Sequence, residues 1–567
     1  MKMIINRFIN ITLKVLLCII LIAAVPMCFI SLYGSSIAGT IVISLVMAAS
    51  LFMGYKIINS NMDNRKKALL LFAIAAALRI LWLMNADNTP NSDFNTMYYE
   101  GNQFIHGNSQ VFKGTSYAAR FPHFIMTILY MGLMQYLFPQ TNLCAMKGVN
   151  LFLGLVVIWI IYAAANEIFE DRKKSLYTLL IACIFPPFIT YTSVFCSENL
   201  AMPFYMGAVL LFLKAVHKSN GNISGKDRAD SCSNIDSYGN GNSYSNINSY
   251  VNGNCCGDGN SNDNSMDSEE IKSKSDINIR SDIRGKGNIK DNRKSFEFLI
   301  MSGIVLGIGN LLRMIADVVL IAYVLYIVIY FKDGILKKIA DILCVTLPYF
   351  MILVCVSTGL QKMNITENPL WRGSEPKITS VLRGTNISSL GMWNVEDTAV
   401  AENNIGNYDE IEKECKDIIY QRLTTTNPLK LTAFYIGKVA SQWCIGDFSG
   451  SLWTQKDMAA EKIIFKIGMF GSMPLQIIYS FILMMIFYGL RNRKNIILYP
   501  ELNLFYIIFL GYIGAYLLTE NQCRYGYIAS WLFVVLGADG ITSFIEIMKK
   551  KHCLSAHTDT SYESNSL

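Results

Sequence analysis

The sequence predicts an all-α polytopic membrane protein, a bundle of about twelve transmembrane helices with a partly helical extracytoplasmic cap. Three observations lead there. First, 52% of the 567 residues are hydrophobic and only 16% are charged, where a soluble domain carries about a quarter charged residues. Second, the apolar residues come in runs of about 18 or more, long enough to cross hydrocarbon as helices, and not in the short alternating segments of a barrel. Third, the basic residues sit in short clusters between those runs. The net charge of +7 therefore reads as a set of topology signals and not as a nucleic-acid surface.

Taken in order, the N-terminus presents Lys2 and Arg7 and then an apolar run. The run is long and lacks a small-residue cleavage site, so it reads as an uncleaved first span and not as a signal peptide. In all, about thirteen segments have spanning or near-spanning length. They lie at 11–33, 37–55, 68–84, 121–138, 148–168, 175–195, 197–216, 297–311, 314–331, 338–358, 463–488, 496–518 and 525–546. Hydrophilic stretches at 86–120, 217–296 and 360–460 interrupt them. The expected organisation is N-terminal transmembrane helices (1–85), a first external loop with a juxtamembrane helix (86–140) and a transmembrane core (141–216). A linker (217–296), more core (297–359), an external loop domain (360–460), C-terminal transmembrane helices (461–548) and a cytoplasmic tail (549–567) follow.

Charge sets the orientation. Lys2, Arg7 and the Arg65-Lys66-Lys67 cluster place the N-terminus and the second loop inside, so the third span delivers 86–120 to the outside. The clusters at 172–174, 337–338, 491–494 and 549–551, with the flanks of 217–296, also favour the inside. If 121–138 crosses, all of them land outside; if it lies along the outer surface or re-enters, all land inside. The second arrangement is the expectation, with both termini cytoplasmic.

The stretch 217–296 is rich in Asn, Ser, Gly and Asp. It holds too little apolar surface to fold and reads as a disordered cytoplasmic linker. The stretch 360–460 is better mixed. Ile411, Cys415, Ile418 and Ile419 fall at helical spacing, and Asn427-Pro428 opens another helical run. Fourteen scattered Cys show no ligand-like spacing, which argues against a disulfide framework or a zinc site.

Four outward segments carry ionisable residues. The first loop holds Asp87, Asp93, Glu100 and His106 beside Tyr98 and Tyr99, with Arg120 and His123 following. A carboxylate there is placed to take a proton from an acceptor hydroxyl, and Asp93 is the choice; the alternative is a solvated loop. Glu198 is the acidic residue of an apolar hairpin, either functional or a helix-terminal carboxylate behind Ser197. Arg313 either holds a phosphate or pairs with Asp317 four residues on. Arg524, with Glu520, Tyr525 and Tyr527, is a late member of the set or an interfacial anchor. Arg79, inside the third span, reads as snorkelling or internally partnered. No phosphate-binding glycine loop, HExxH or nucleophile elbow appears.

On NSDFNTMYYEGNQFIHG (91–107), ARFPHFIMTILYMGL (119–133), PPFITYTSVFCSENL (186–200), GIVLGIGNLLRM (303–314) and ENQCRYGY (520–527), the chain resembles a known family. This is the dolichyl-phosphate-mannose–protein mannosyltransferases and their bacterial relatives, among them the aminoarabinose transferases. The resemblance implies a GT-C-type helical bundle. It also implies transfer of a sugar from a polyprenyl-phosphate donor to a protein, polymer or lipid hydroxyl at the outer face of the plasma membrane, with inversion. By the same resemblance Asp93 is the catalytic base or orients the acceptor, Glu198 matches a second acidic position, and Arg313 holds the donor phosphate with Arg120 or Arg524. Tyr98, Tyr99, His123 and Tyr525 are then substrate-binding candidates. Some relatives hold a divalent metal near the acidic loop, for which Asp87, Asp93 and His106 are the candidate ligands. Phe94 stands where the eukaryotic enzymes have a second acid, and two spans precede the one leading to the loop, so a bacterial member is expected. The competing classes are a transporter or flippase of polyprenyl-linked substrates and a non-catalytic envelope assembly protein.

Overall fold

A segment inside hydrocarbon must satisfy its own backbone N–H and C=O groups, and a helix does so without leaving the segment. The computed structural model describes residues 2–169, 171–219, 273–455, 466–491 and 499–563. Among them eight helices are long and apolar enough to cross a membrane, including Ile4–Ile30, Asn64–Met84, Asn142–Phe169, Ser197–Ser219 and Ile335–Lys362. Two bent pairs join them: Arg172–Ile184 with Pro186–Ser193, and Cys523–Ala529 with Trp531–Ile545, broken by 55° and 65°. Two shorter apolar helices are Asp317–Tyr330 and Leu502–Leu518. The eight, the two pairs and the two short helices stand at the twelve places where the sequence predicts spans. The chain is a multi-pass membrane protein. Its outer helices turn large apolar side chains outward, with Ile22, Phe29 and Leu69 each about 70% exposed, as a lipid-facing surface requires.

The thirteenth apolar segment forms a different element. Its helix, Ile125–Leu137, has 13 residues and is about 20 Å long, short of a hydrocarbon core of about 30 Å. It lies across the helix Asp93–Ile105, and the two backbones meet at Gly101 and Gly132. A Cβ on Gly101 would come within 2.8 Å of the Gly132 nitrogen, so glycine is what permits this crossing.

The interior of the bundle is built on Ser197–Ser219, flanked by the end of the helix Ser273–Leu312. The greater part of the expected linker, 220–272, lies outside the described residues. From Ser273 the backbone is helical into the span that ends at Leu312. The span expected at 463–488 begins as a helix at Met473.

The cap comprises the helices Ile378–Gly384, Val395–Asn403, Tyr408–Thr425 and Pro428–Trp443. The helical spacing in its sequence has a small core of its own. Ile411 and Cys415 are buried with Leu382, Val400 and Ala401, and Ile418 and Ile419 pack against them. Asp397 fastens the other side, accepting from Arg422 at 2.6 Å and from Asn386 and Asn394.

Lys438 ties the cap to the bundle. It is 1% exposed, and its ammonium donates to the carbonyls of Gly384, Leu517 and Thr519 at 2.6, 2.9 and 2.7 Å. Three N–H donors meet three acceptors at the ends of the helices Ile378–Gly384 and Leu502–Leu518, where backbone carbonyls lack helical partners. Lys438→Met is expected to lower stability by about 1–3 kcal/mol, the penalty for buried acceptors left unmade. Thermal unfolding of the purified protein reads this directly.

Candidate active site

Four distant segments deliver four charged side chains to one end of the bundle. Asp93 opens the helix Asp93–Ile105 and Glu198 lies in the first turn of Ser197–Ser219. Both carboxylates therefore sit where a helix macrodipole favours negative charge. Ser92, just before Asp93, has φ +53°, a region that non-glycine residues seldom occupy and that costs strain. Arg313 occupies the break between Leu312 and Asp317. Its carbonyl accepts the Tyr205 hydroxyl, and Asn310 caps the Ala316 N–H at 3.2 Å. Arg524 comes from the 3-10 segment Cys523–Ala529.

These residues form two acid–base pairs. Arg524 reaches Asp93 at 3.5 Å, and Arg313 reaches Glu198 at 3.4 Å. The ring of Tyr525 joins the pairs, with the two guanidinium carbons 5.3 and 5.2 Å from its centroid. Arg524 is further enclosed by Phe94 at 4.8 Å and Trp453 at 5.3 Å, contacts of cation–π type. Its Nε is buried without a hydrogen-bond partner among the described residues. The Tyr117 hydroxyl faces Asp93, and burial followed by that carboxylate raises its pKa, so it remains a neutral donor.

The pairing of Arg313 with Asp317, one of the two sequence readings, is not what the structure has. Arg313 pairs with Glu198 of the neighbouring helix, whereas Asp317 accepts the Tyr349 hydroxyl at 2.6 Å. Glu198 has Ser197 beside it at 3.3 Å, so it is both a first-turn carboxylate and the partner of Arg313.

A chain of charges links the cap to this centre. Arg120 meets Glu375 at 2.7 Å, Glu375 meets Arg383 at 3.5 Å, and Arg383 meets Glu520 at 3.0 Å. Glu520 then accepts from Gln522 at 2.6 Å and from the Tyr525 hydroxyl at 3.4 Å. Arg120 is thus held by Glu375 and joins the cap to the first loop. His123 lies against Phe124 at 4.0 Å. Burial, then Arg313 and Lys377, push its pKa down to about 3, which leaves a neutral imidazole beside the arginine.

Other candidates from the first loop stand apart. The Tyr98 hydroxyl is committed to Asn142 at 2.8 Å, and Tyr99 is 61% exposed. His106 is exposed, with Nδ1 against the carbonyl of Asn102 at 2.8 Å. Among the described residues no three His, Cys, Asp or Glu side chains gather as a metal site. Asp87, Asp93 and His106 therefore do not fit the ligand set that the resemblance suggests, because Asp93 opens its helix while His106 follows that helix's far end.

Glu100 lies two turns beyond Asp93, buried, with Oε2 unpartnered. Burial pushes its pKa up to about 7 from 4.5, partly offset by the Ala118 N–H. The unfolded chain releases this proton near 4.5 and the folded protein holds it to about 7, so stability falls as pH rises through that window. Glu100→Gln is expected to match the parent near pH 4 and to unfold at a higher temperature above pH 7. Unfolding curves across that range are the check.

Sequence reasoning missed Tyr117, Phe94, Trp453, Glu375 and Arg383. The strained turn at Phe448 and Ser449, with φ +51° and +61°, aims Trp453, and Asp447 fixes it by accepting from the Ser449 and Ser451 N–H groups at 3.1 and 2.9 Å.

No family model matches the chain, and no curated protein matches it. Among solved structures it is similar to the archaeal oligosaccharyltransferase AglB from Archaeoglobus fulgidus in complex with an inhibitory peptide and a dolichol-phosphate. The identity is 11% and the TM-score 0.40, over 87% of this chain and 52% of that one. The apo form of the Archaeoglobus fulgidus oligosaccharyltransferase gives 11% and 0.41, over 88% and 52%. ArnT from Cupriavidus metallidurans bound to undecaprenyl phosphate gives 11% and 0.28, over 83% and 77%. The chain spans about half the length of the two oligosaccharyltransferase structures.

Proposed function

We propose that this protein is a membrane glycosyltransferase of the GT-C type. It moves a sugar from a polyprenyl-phosphate donor to a hydroxyl acceptor at the outer face of the plasma membrane. The observation that carries this reading is the convergence of Asp93–Arg524 and Arg313–Glu198 on the ring of Tyr525. Two guanidiniums at the mouth of an apolar bundle suit a phosphate whose lipid tail stays in the membrane. A carboxylate that is 41% exposed on its side chain suits a base that an acceptor must reach. The donor class comes from the sequence resemblance.

In this reading the acceptor oxygen attacks the anomeric carbon as the bond from that carbon to the phosphate oxygen breaks. The electron pair leaves with the polyprenyl phosphate, where Arg313 and Arg524 offset the developing charge. The acceptor proton passes to the Asp93 carboxylate. Glu198 positions Arg313 and keeps its charge at that depth. The Tyr117 hydroxyl orients Asp93.

The test is a transfer assay on the purified protein with labelled polyprenyl-phosphate sugars and total envelope acceptors. Appearance of a sugar on an acceptor with release of polyprenyl phosphate supports the reading. Movement of the intact lipid-linked sugar across a proteoliposome, with no transfer, would replace it with a transporter.

A further inference from the structure

A charged cavity lies at the other end of the bundle from Glu198. Glu198 and His217 stand near the two ends of one helix, Ser197–Ser219, nineteen residues apart in the chain. At 1.5 Å per residue that is about 29 Å, close to the thickness of a hydrocarbon core. A cavity of about 400 Å³ opens there, lined by Ala163, Asn166, Glu167, Arg172, Lys214 and His217.

Its charges are arranged so that cations are left over. The His217 ring sits between two carboxylates, with Nδ1 3.1 Å from Glu167 and Nε2 3.3 Å from Glu501. A ring that faces a carboxylate on both sides carries a proton on both nitrogens, so it offsets part of their charge. Asp171 is committed to the N–H groups of Lys173 and Lys174, and Asp333 to Lys337 and Ser219. Arg172 donates to the amide oxygen of Asn166 at 2.9 Å. Among the described residues neither Arg172 nor Lys214 has a carboxylate within ion-pair distance, and Lys214 with Lys218 acts on Glu167 only at longer range. Three cations thus line or border the cavity against two carboxylates.

We propose that this pocket binds the phosphate of an anionic membrane phospholipid in the leaflet opposite Asp93, with Arg172 and Lys214 as its two cationic contacts. Its depth places a headgroup phosphate, and not a water-soluble anion in bulk solvent, beside those side chains. Basic pockets between helices at this level recognise such headgroups, each cation adding to the attraction. The inference rests on the fold and the charge pattern alone and holds whatever the chemistry at Asp93.

The full-length protein in neutral detergent is titrated with phosphatidylglycerol, phosphatidylcholine or inorganic phosphate, and bound lipid is counted by native mass spectrometry. Phosphatidylglycerol is expected to bind in preference to phosphatidylcholine, and Arg172→Gln with Lys214→Gln to weaken it roughly thirtyfold. Each single variant, expected to lose roughly fivefold, keeps the test if the double variant does not fold. Equal binding by parent and variants overturns the proposal. So does equal occupancy by phosphatidylcholine, or binding of inorganic phosphate that excludes the lipid.

Discussion

Asp93→Asn is expected to reduce sugar transfer by about two to four orders of magnitude, the usual contribution of a positioned general base. Asparagine keeps the size of the side chain and its place at the start of the helix, but an amide takes no proton from an attacking hydroxyl. The phosphate side is largely preserved, because Arg313 keeps Glu198 at 3.4 Å and Arg524 keeps its enclosure by Phe94, Trp453 and Tyr525. The loss is therefore expected in kcat, with donor KM little changed. Folding should also be little changed, since the Asp93 side chain is 41% exposed and its link to Arg524 is long, at 3.5 Å. Single-turnover rates at saturating donor measure this. A variant with the parent's rate and a normal unfolding curve would remove Asp93 from the reaction.

The four charged residues of this centre could be read from sequence for a physical reason. A charge at the end of an apolar run is costly, so Glu198, Arg313 and Arg524 stand out against their neighbours, and one topology carries them to the same end as Asp93. The rest of the centre has no such contrast. Tyr117, Phe94 and Trp453 are aromatic residues in a chain that is 12% aromatic, and nothing local marks them from ordinary packing. Arg120 was legible as a charge but its ion-pair partner was not, because Glu375 lies 255 positions away. The cap's place depends on such contacts, Lys438 with the end of Leu502–Leu518 among them, and no periodicity within 360–460 encodes them. The spans were legible because length and hydropathy are local. Their breaks were legible in part: Pro186-Pro187 announces the 55° bend, but the side chain that makes the bend tolerable comes from another helix.

That side chain is Arg79, and Arg79→Leu is expected to give a large loss of folding stability. In an unbroken helix the carbonyls of Ala182 and Cys183 would accept from the N–H groups of residues 186 and 187. Both are proline and have no N–H. Arg79 is fully buried and supplies donors to those two carbonyls, Nη2 to Ala182 at 3.4 Å and Nη1 to Cys183 at 3.2 Å, while Nη1 also meets the Ala75 carbonyl at 2.9 Å. Leucine would leave the two carbonyls unsatisfied where water is absent, at about 1–3 kcal/mol for each buried group. Lysine would rescue only part of this, because an ammonium on a flexible stem lacks the planar fork that spans two adjacent carbonyls. The bend also leads the chain through Tyr191, stacked on Tyr527 at 3.6 Å, to Glu198. Replacing Pro186 and Pro187 by alanine in the Arg79→Leu background returns the missing N–H groups and lets the helix continue. Thermal stability should then recover while transfer does not, because a straightened segment carries Glu198 away from Arg313. Recovery of both would show that the bend serves packing alone, and recovery of neither would show that Arg79 acts through contacts other than these carbonyls.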